Sequence, residues 1–169
     1  MGDVSNVELG VCSVTINGTN IGHTKGGVEL TYEPEYHEVT VDQYGNTPVD
    51  MRLIGERFIA KVPFAEFTLS NLEKVIPWTT RAGAADKRRL IGSDAGQSGR
   101  DSASVELVLH PIAEGTRRHD VVMYKAFPMS AVVINHKNDE EKILEVEFIA
   151  LVDETKSEGN YLGLIGDST

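Results

Sequence analysis

Residues 37–77, HEVTVDQYGNTPVDMRLIGERFIAKVPFAEFTLSNLEKVIP, decide the fold. Val39 and Val41 alternate with Glu38, Thr40 and Asp42, and further on Phe58, Ala60, Val62 and Phe64 alternate with Arg57, Ile59 and Lys61. Side chains along a strand point to opposite faces in turn, so each run predicts a half-buried strand with a charged outer face. Pairing about a turn near Asn46-Thr47 places Glu38 close to Arg57. The connection, residues 43–55, is longer than the two to five residues or so that close a hairpin. Its excess, with Thr47, Pro48 and Val49 at the tip, is free to contact something outside the domain.

The same stretch ends in a helix signal. Thr68 or Ser70 can cap it, Glu73 completes a capping box with Ser70, and Leu69, Leu72, Val75 and Ile76 form an apolar stripe before Pro77 stops it. One helix cannot cover a parallel sheet, so the expected class is mainly β: an antiparallel sandwich or split barrel with one flanking helix. The other regular segments agree. VCSVTI at 11–16 leads through Asn17-Gly18 into a hairpin, and GGVELTYE runs up to Pro34, which marks an edge or a bend. SVELVLH, VVMYKAFPMSAVVI and KILEVEFIALVD read as further strands. In the last, Leu144, Val146, Phe148, Ala150 and Val152 face a core while Glu145 and Glu147 face away.

Two segments lack a period. Residues 80–103 are Gly, Ala, Ser and charge, which predicts a long exposed loop that orders against a partner. The tail from 153 to 169 carries Tyr161, Leu162, Leu164 and Ile165 on an arm that needs a groove, on its own domain or on another subunit.

Composition narrows the function. The chain has 169 residues, formal charge -10 and one cysteine, Cys12. One domain of this length buries a core without staples, and a lone cysteine builds neither a disulfide framework nor a zinc site. The acidic balance argues against tight nucleic-acid binding, because that affinity comes from Lys and Arg. The basic clusters Lys87-Arg88-Arg89 and Arg117-Arg118-His119 read as solvated loops or as salt-bridge partners between subunits. No apolar run approaches the ~18 residues of a membrane span, and the start MGDVSNVELG has no signal-peptide pattern. The five histidines lack metal-ligand spacing, and GQSGR at 96–100 lacks the final glycine and the leading strand of a nucleophile elbow. No catalytic constellation, metal or cofactor is expected, and no small-molecule substrate.

NGTNIGHTKGGVEL (17–30), VDQYGNTPVD (41–50), GERFIAKVPFAEFTLSNL (55–72) and LEVEFIALVD (144–153) together resemble the tail tube proteins of long-tailed bacteriophages. The resemblance covers residues 11–77 and 143–153, with little in 80–142. It implies one tail tube domain with an N-terminal arm at 1–10 and a C-terminal arm at 153–169. It further implies six-fold rings that stack into a β-lined tube, in a virion tail assembled in the host cytoplasm. Implied partners are further copies, the tape measure and tail-end proteins, and double-stranded DNA in transit. On this reading Glu38, Thr40, Asp42, Glu145 and Glu147 are candidates for the lumen wall. Asn46, Thr47, Pro48, Val49, Asp50 and Met51 are candidates for contact between rings. The tube of a contractile injection system and a ligand-binding β-barrel closed by residues 80–103 are the alternatives. An enzyme using Glu145 or His37 comes third.

Overall fold

The computed structural model describes residues 10–66, 68–82, 88–92, 95–112, 119–129, 131–134 and 142–167. β1 (Cys12–Ile16) turns through Asn17 and Gly18 into β2 (Thr19–Asn20). Both turn residues hold positive φ, 49° and 71°, the geometry whose twist suits a two-residue hairpin. β3 (Glu29–Thr40) and β4 (Pro48–Phe64) form a much longer hairpin, followed by α1 (Leu69–Val75). Then come β5 (Thr79–Ala82), β6 (Arg88–Ile91) and the short α2 (Gly99–Ser102). β7 (Val105–Pro111), β8 (Val121–Pro128), β9 (Leu144–Ala150) and β10 (Gly163–Ile165) complete the chain.

The protein is mainly β. Eight strands make one antiparallel sheet in the order β2-β1-β7-β8-β9-β4-β3, with β10 also paired to β8, and the sheet does not close into a barrel. β5 and β6 form a separate two-stranded sheet. One apolar cluster joins Val14 and Ile16 of β1, Leu107 and Leu109 of β7, and Met123 and Ala126 of β8 to β9 and β4. β9 contributes Leu144, Val146, Phe148 and Ala150, and β4 contributes Phe58, Ala60, Val62 and Phe64. The Phe64 and Phe148 rings meet edge to face, 6.3 Å between centroids. Burying each such side chain stabilises by roughly 1.5–3 kcal/mol.

α1 closes one end of this core with Val75. Of the two caps the sequence offers, Thr68 is the one used: its hydroxyl accepts from Asn71 N at 3.1 Å. Asn71 also donates its side-chain amide to the carbonyls of Ile21 at 2.9 Å and Glu66 at 3.2 Å, tying the helix start to the exit from β2.

Several expectations change. The β3–β4 register sets Arg57 against Glu33, and Glu38 against Met51, because β4 begins at Pro48 and the turn is shorter than the polar composition suggested. Of the two readings of Pro34, the edge holds and the bend does not: β3 is the outer strand and runs on through Pro34, where a missing donor costs no ladder bond. Residues 80–103 hold β5, β6 and α2 rather than an unstructured loop, with 83–87 and 93–94 outside the described residues. The strand expected over 121–134 stops at Pro128, after which Met129 N turns to the Glu147 carbonyl at 2.8 Å. Val152 lies past the end of β9 and is exposed. Residues 1–9 of the N-terminal arm, Lys87, Arg117 and Arg118 lie outside the described residues, while Arg88 and Arg89 belong to β6.

Candidate assembly surfaces

β4 pairs with β9 only from Ile59 to Phe64, whereas it pairs with β3 from Pro48 to Lys61. Tyr32–Thr40 and Pro48–Phe58 therefore stand beyond the body as a two-stranded ribbon, roughly 30 Å long at the usual strand rise. Its root is buried at Phe58, and its side chains from 48 to 54 are exposed.

Residues directly opposed in an antiparallel pair share a face. Tyr32 with Phe58, Tyr36 with Leu53, and Glu38 with Met51 lie on the face that continues the core side of the sheet. Tyr32, Tyr36, Met51 and Leu53 are each about half exposed, so the apolar face of the sheet runs out past the core that would bury it. Two register shifts, at Glu35/Tyr36 and Val39/Thr40, insert Ile54 and Val49 as extra residues of β4, and both are exposed as well. Bulges of this kind add twist to a ribbon.

The other face carries charge. On the ribbon it bears Glu33 opposite Arg57, Glu35 opposite Gly55, His37 opposite Arg52 and Val39 opposite Asp50. On the body it continues with Glu29 opposite Lys61, then Glu147 opposite Lys61 and Glu145 opposite Pro63. Lys61 Nζ also lies 3.6 Å from Glu145 Oε2. Carboxylates outnumber cations along this wall.

The residues expected on a lumen wall therefore divide. Glu145 and Glu147 are on the acidic face, Glu38 and Thr40 project from the opposite face of the ribbon, and Asp42 belongs to the turn. Glu29, Glu33 and Glu35 share the acidic face with Glu145 and Glu147, which the sequence reading did not foresee. Their period-two spacing in ELTYEPE was a readable signal, masked by taking Pro34 as an end of the strand.

The tip shifts too. Asn46 and Thr47 lie in the turn, but Pro48, Val49, Asp50 and Met51 are paired strand residues. The turn is a single 3-10 turn, Asp42–Tyr44, closed by Tyr44 N to Val41 O at 3.1 Å and Gly45 N to Asp42 O at 3.3 Å, with Gly45 at φ 61°. Its largest side chain, Tyr44, is 68% exposed.

The C-terminal arm folds onto its own sheet. β10 pairs antiparallel with β8, setting Gly163 against Met123 and Leu164 against Val122. Gly163 allows the approach: a Cβ there would sit 2.2 Å from the Val122 carbonyl oxygen. Leu162 packs against the core and Leu164 is half-buried, while Tyr161 and Ile165 remain exposed. Asp153 anchors the arm's start: its Oδ1 accepts from Thr155 Oγ1 at 2.9 Å and Thr155 N at 3.2 Å, with Lys125 Nζ at 3.8 Å. The Thr155 hydroxyl is the main cause that holds this carboxyl below its ordinary value, with the Thr155 amide and Lys125 adding to it against burial. Lys156 Nζ lies 4.2 Å over the Tyr124 ring, whose hydroxyl donates to Asn160 at 3.1 Å.

Between this arm and the root of the ribbon lies a groove of about 300 Å³, walled by Tyr32, Phe58, Val152, Tyr161 and Leu162 with Glu56 among them. Tyr32 donates its hydroxyl to Glu56 Oε1 at 2.6 Å, which raises the Tyr32 phenol above its ordinary value.

Elsewhere, His110 Nδ1 lies 2.5 Å from Oδ1 of Asp120, a buried carboxyl. Ser13, directly opposite His110, directs its hydroxyl to the His110 main-chain carbonyl at 3.3 Å, so that serine is not hydrogen-bonded for activation by the ring. Among the described residues no group of three or more His, Cys, Asp or Glu converges as a metal site. No helix among them is long and apolar enough to cross a membrane. No protein-family model matches the chain, and no curated protein matches it in sequence.

Proposed function

We propose that the chain is a self-assembling structural subunit, the tail tube protein of a long-tailed bacteriophage, whose copies form six-fold rings stacked into a tube. The observation that carries this reading is the free-standing β3–β4 ribbon, apolar on one face and charged on the other. About 30 Å of two-stranded ribbon is marginal in water by itself, and an uncovered apolar face marks a site of association. Among the described residues, β3 ends the main run of the sheet on one side and β2 on the other. Neighbouring copies in a ring complete each other's sheets through such edges.

In this assembly the wall carrying Glu29, Glu33, Glu35, Glu145 and Glu147 faces the lumen. Duplex DNA carries one negative charge per ~1.7 Å of axis. A carboxylate-rich wall repels it over the ~8–10 Å that salt leaves unscreened, so the duplex slides without adhering. Glu38 and Thr40, on the opposite face, leave the lumen set on this account. Contacts with tape measure and tail-end proteins, and residence in the virion tail, follow from the same reading.

Negative-stain electron microscopy of the concentrated protein tests it, with annular or tubular particles the expected result. Single globular monomers at every concentration, together with absence of the chain from purified tails, refute it.

A further inference from the structure

Glu56 stands on the apolar face of the ribbon. It lies opposite Pro34 and two residues from Phe58 on the same strand, so it projects on the side that Tyr32, Tyr36 and Leu53 make apolar. Glutamates of the other face have cations near them: Lys61 reaches Glu145, and Arg57 is set against Glu33. Glu56 has no such partner among the described residues. The one polar contact of its side chain there is the Tyr32 hydroxyl, which donates to Oε1 at 2.6 Å and leaves Oε2 open to an incoming donor. A carboxylate placed among apolar groups invites a cation, because covering it unpaired costs free energy.

The groove around Glu56 selects the kind of cation. Its walls carry three aromatic rings, Tyr32, Phe58 and Tyr161, together with Val152 and Leu162, and no Lys, Arg or His among the described residues. Its volume of about 300 Å³ lies at the low end of small-molecule sites. Ring faces attract a cation through their quadrupole, and a neighbouring carboxylate adds direct charge. A bare divalent metal ion needs several oxygen ligands, whereas Glu56 is the one carboxylate here. An alkylated ammonium, apolar at its methyl groups and positive as a whole, suits both the rings and the carboxylate.

We infer that the groove formed by Tyr32, Glu56, Phe58 and Tyr161 binds a small alkylammonium ion, its methyl groups against the rings and its charge beside Glu56. The C-terminal arm completes the site: by pairing with β8 it carries Tyr161 and Leu162 to the wall of the groove, facing the root of the ribbon. All of these residues belong to one chain. The site therefore goes beyond the tube reading and needs no assembly to form.

The test titrates choline, and its neutral isostere in which tert-butyl replaces the trimethylammonium group, into the isotope-labelled full chain at constant ionic strength, following amide shifts by NMR. Choline is expected to move amides of residues 56–58 and 159–162 saturably with a Kd in the millimolar range, and the neutral isostere to bind about fivefold more weakly or less. Glu56→Gln still accepts from Tyr32 but carries no charge, and should weaken choline about fivefold with an unchanged thermal melt. Tyr161→Leu, which keeps apolar bulk and removes a ring, should weaken it as well. Choline shifts that fail to saturate, that map outside the groove, that the neutral isostere matches, or that Glu56→Gln leaves unchanged overturn the inference. None of these results touches the tube reading, which stands or falls on the micrographs.

Discussion

Lys61 on β4 stands directly opposite Glu147 on β9, while its Nζ reaches diagonally to Glu145 Oε2 at 3.6 Å, so one lysine sits beside two glutamates on the charged face of the sheet and pairs with Glu145. The Lys61 and Glu145 side chains are each at least half exposed. An exposed pair of this kind stabilises by about 0–1 kcal/mol, too little to be why the charges are there. The charge of this face matters for what approaches it.

Glu145→Lys with Glu147→Lys is therefore expected to fold, at a cost of about 1–2 kcal/mol from placing lysines beside Lys61. The double variant should bind duplex DNA weakly at low salt and lose it as salt rises, where the wild type does not bind. In assembled particles it should slow DNA ejection. Denaturant titration and DNA retention assays at two ionic strengths measure the first two effects. Unchanged DNA affinity and unchanged infectivity would remove these positions from the lumen.

Gly163→Ala tests the docking of the arm. The added methyl would meet the Val122 carbonyl oxygen at 2.2 Å, and main chain cannot yield as a flexible side chain does. We expect a loss of about 1–3 kcal/mol with faster hydrogen exchange across β10. A variant with the wild-type denaturation midpoint would mean that β10 leaves β8 at little cost.

Core and ribbon should respond in opposite ways. Phe148→Ala removes a fully buried ring that touches Phe64, and is expected to cost about 3–5 kcal/mol in the monomer. Leu53→Ser, on the exposed apolar face of the ribbon, should shift monomer stability by less than about 0.5 kcal/mol yet impair assembly. Comparable destabilisation by the two variants would show that the ribbon's apolar face is already covered within one chain.

The strands were legible in the sequence wherever one face is buried. Phe58, Ala60, Val62 and Phe64, and Leu144, Val146, Phe148 and Ala150, announce themselves because a core enforces the period of two. The ribbon was harder to read. Beyond Phe58 there is no core, so Pro48–Gly55 mixes Asp50, Arg52, Met51 and Leu53 as a loop would, and the two bulges break the alternation that remains. Register suffered for the same reason: it depends on where the turn closes, and Tyr44-Gly45 closes it earlier than the Asn46-Thr47 pair suggested. The helix start was readable from local chemistry, which offered Thr68 and Ser70 as caps but did not choose between them. The groove was not, since it joins Tyr32 to Tyr161 through tertiary folding that no local pattern records.

Asp153 gives a pH test of the arm. Its carboxyl is held below the ordinary carboxylate value, chiefly by the Thr155 hydroxyl, and also by the Thr155 amide and Lys125. A native value below the unfolded one means that the unfolded chain binds the proton more readily. The ionised group therefore stabilises the fold fully above the unfolded value, and this contribution disappears as pH falls through the native one. The window opens at roughly pH 4, the unfolded carboxyl's range, and extends downward. Asp153→Asn keeps an oxygen for Thr155 but cannot ionise. Its urea midpoint should lie below the wild type's at neutral pH, and the two curves should converge as pH drops below about 4. Curves that stay parallel from roughly pH 6 to pH 2 would show that Asp153 contributes through shape alone and that its ionisation does not hold the arm.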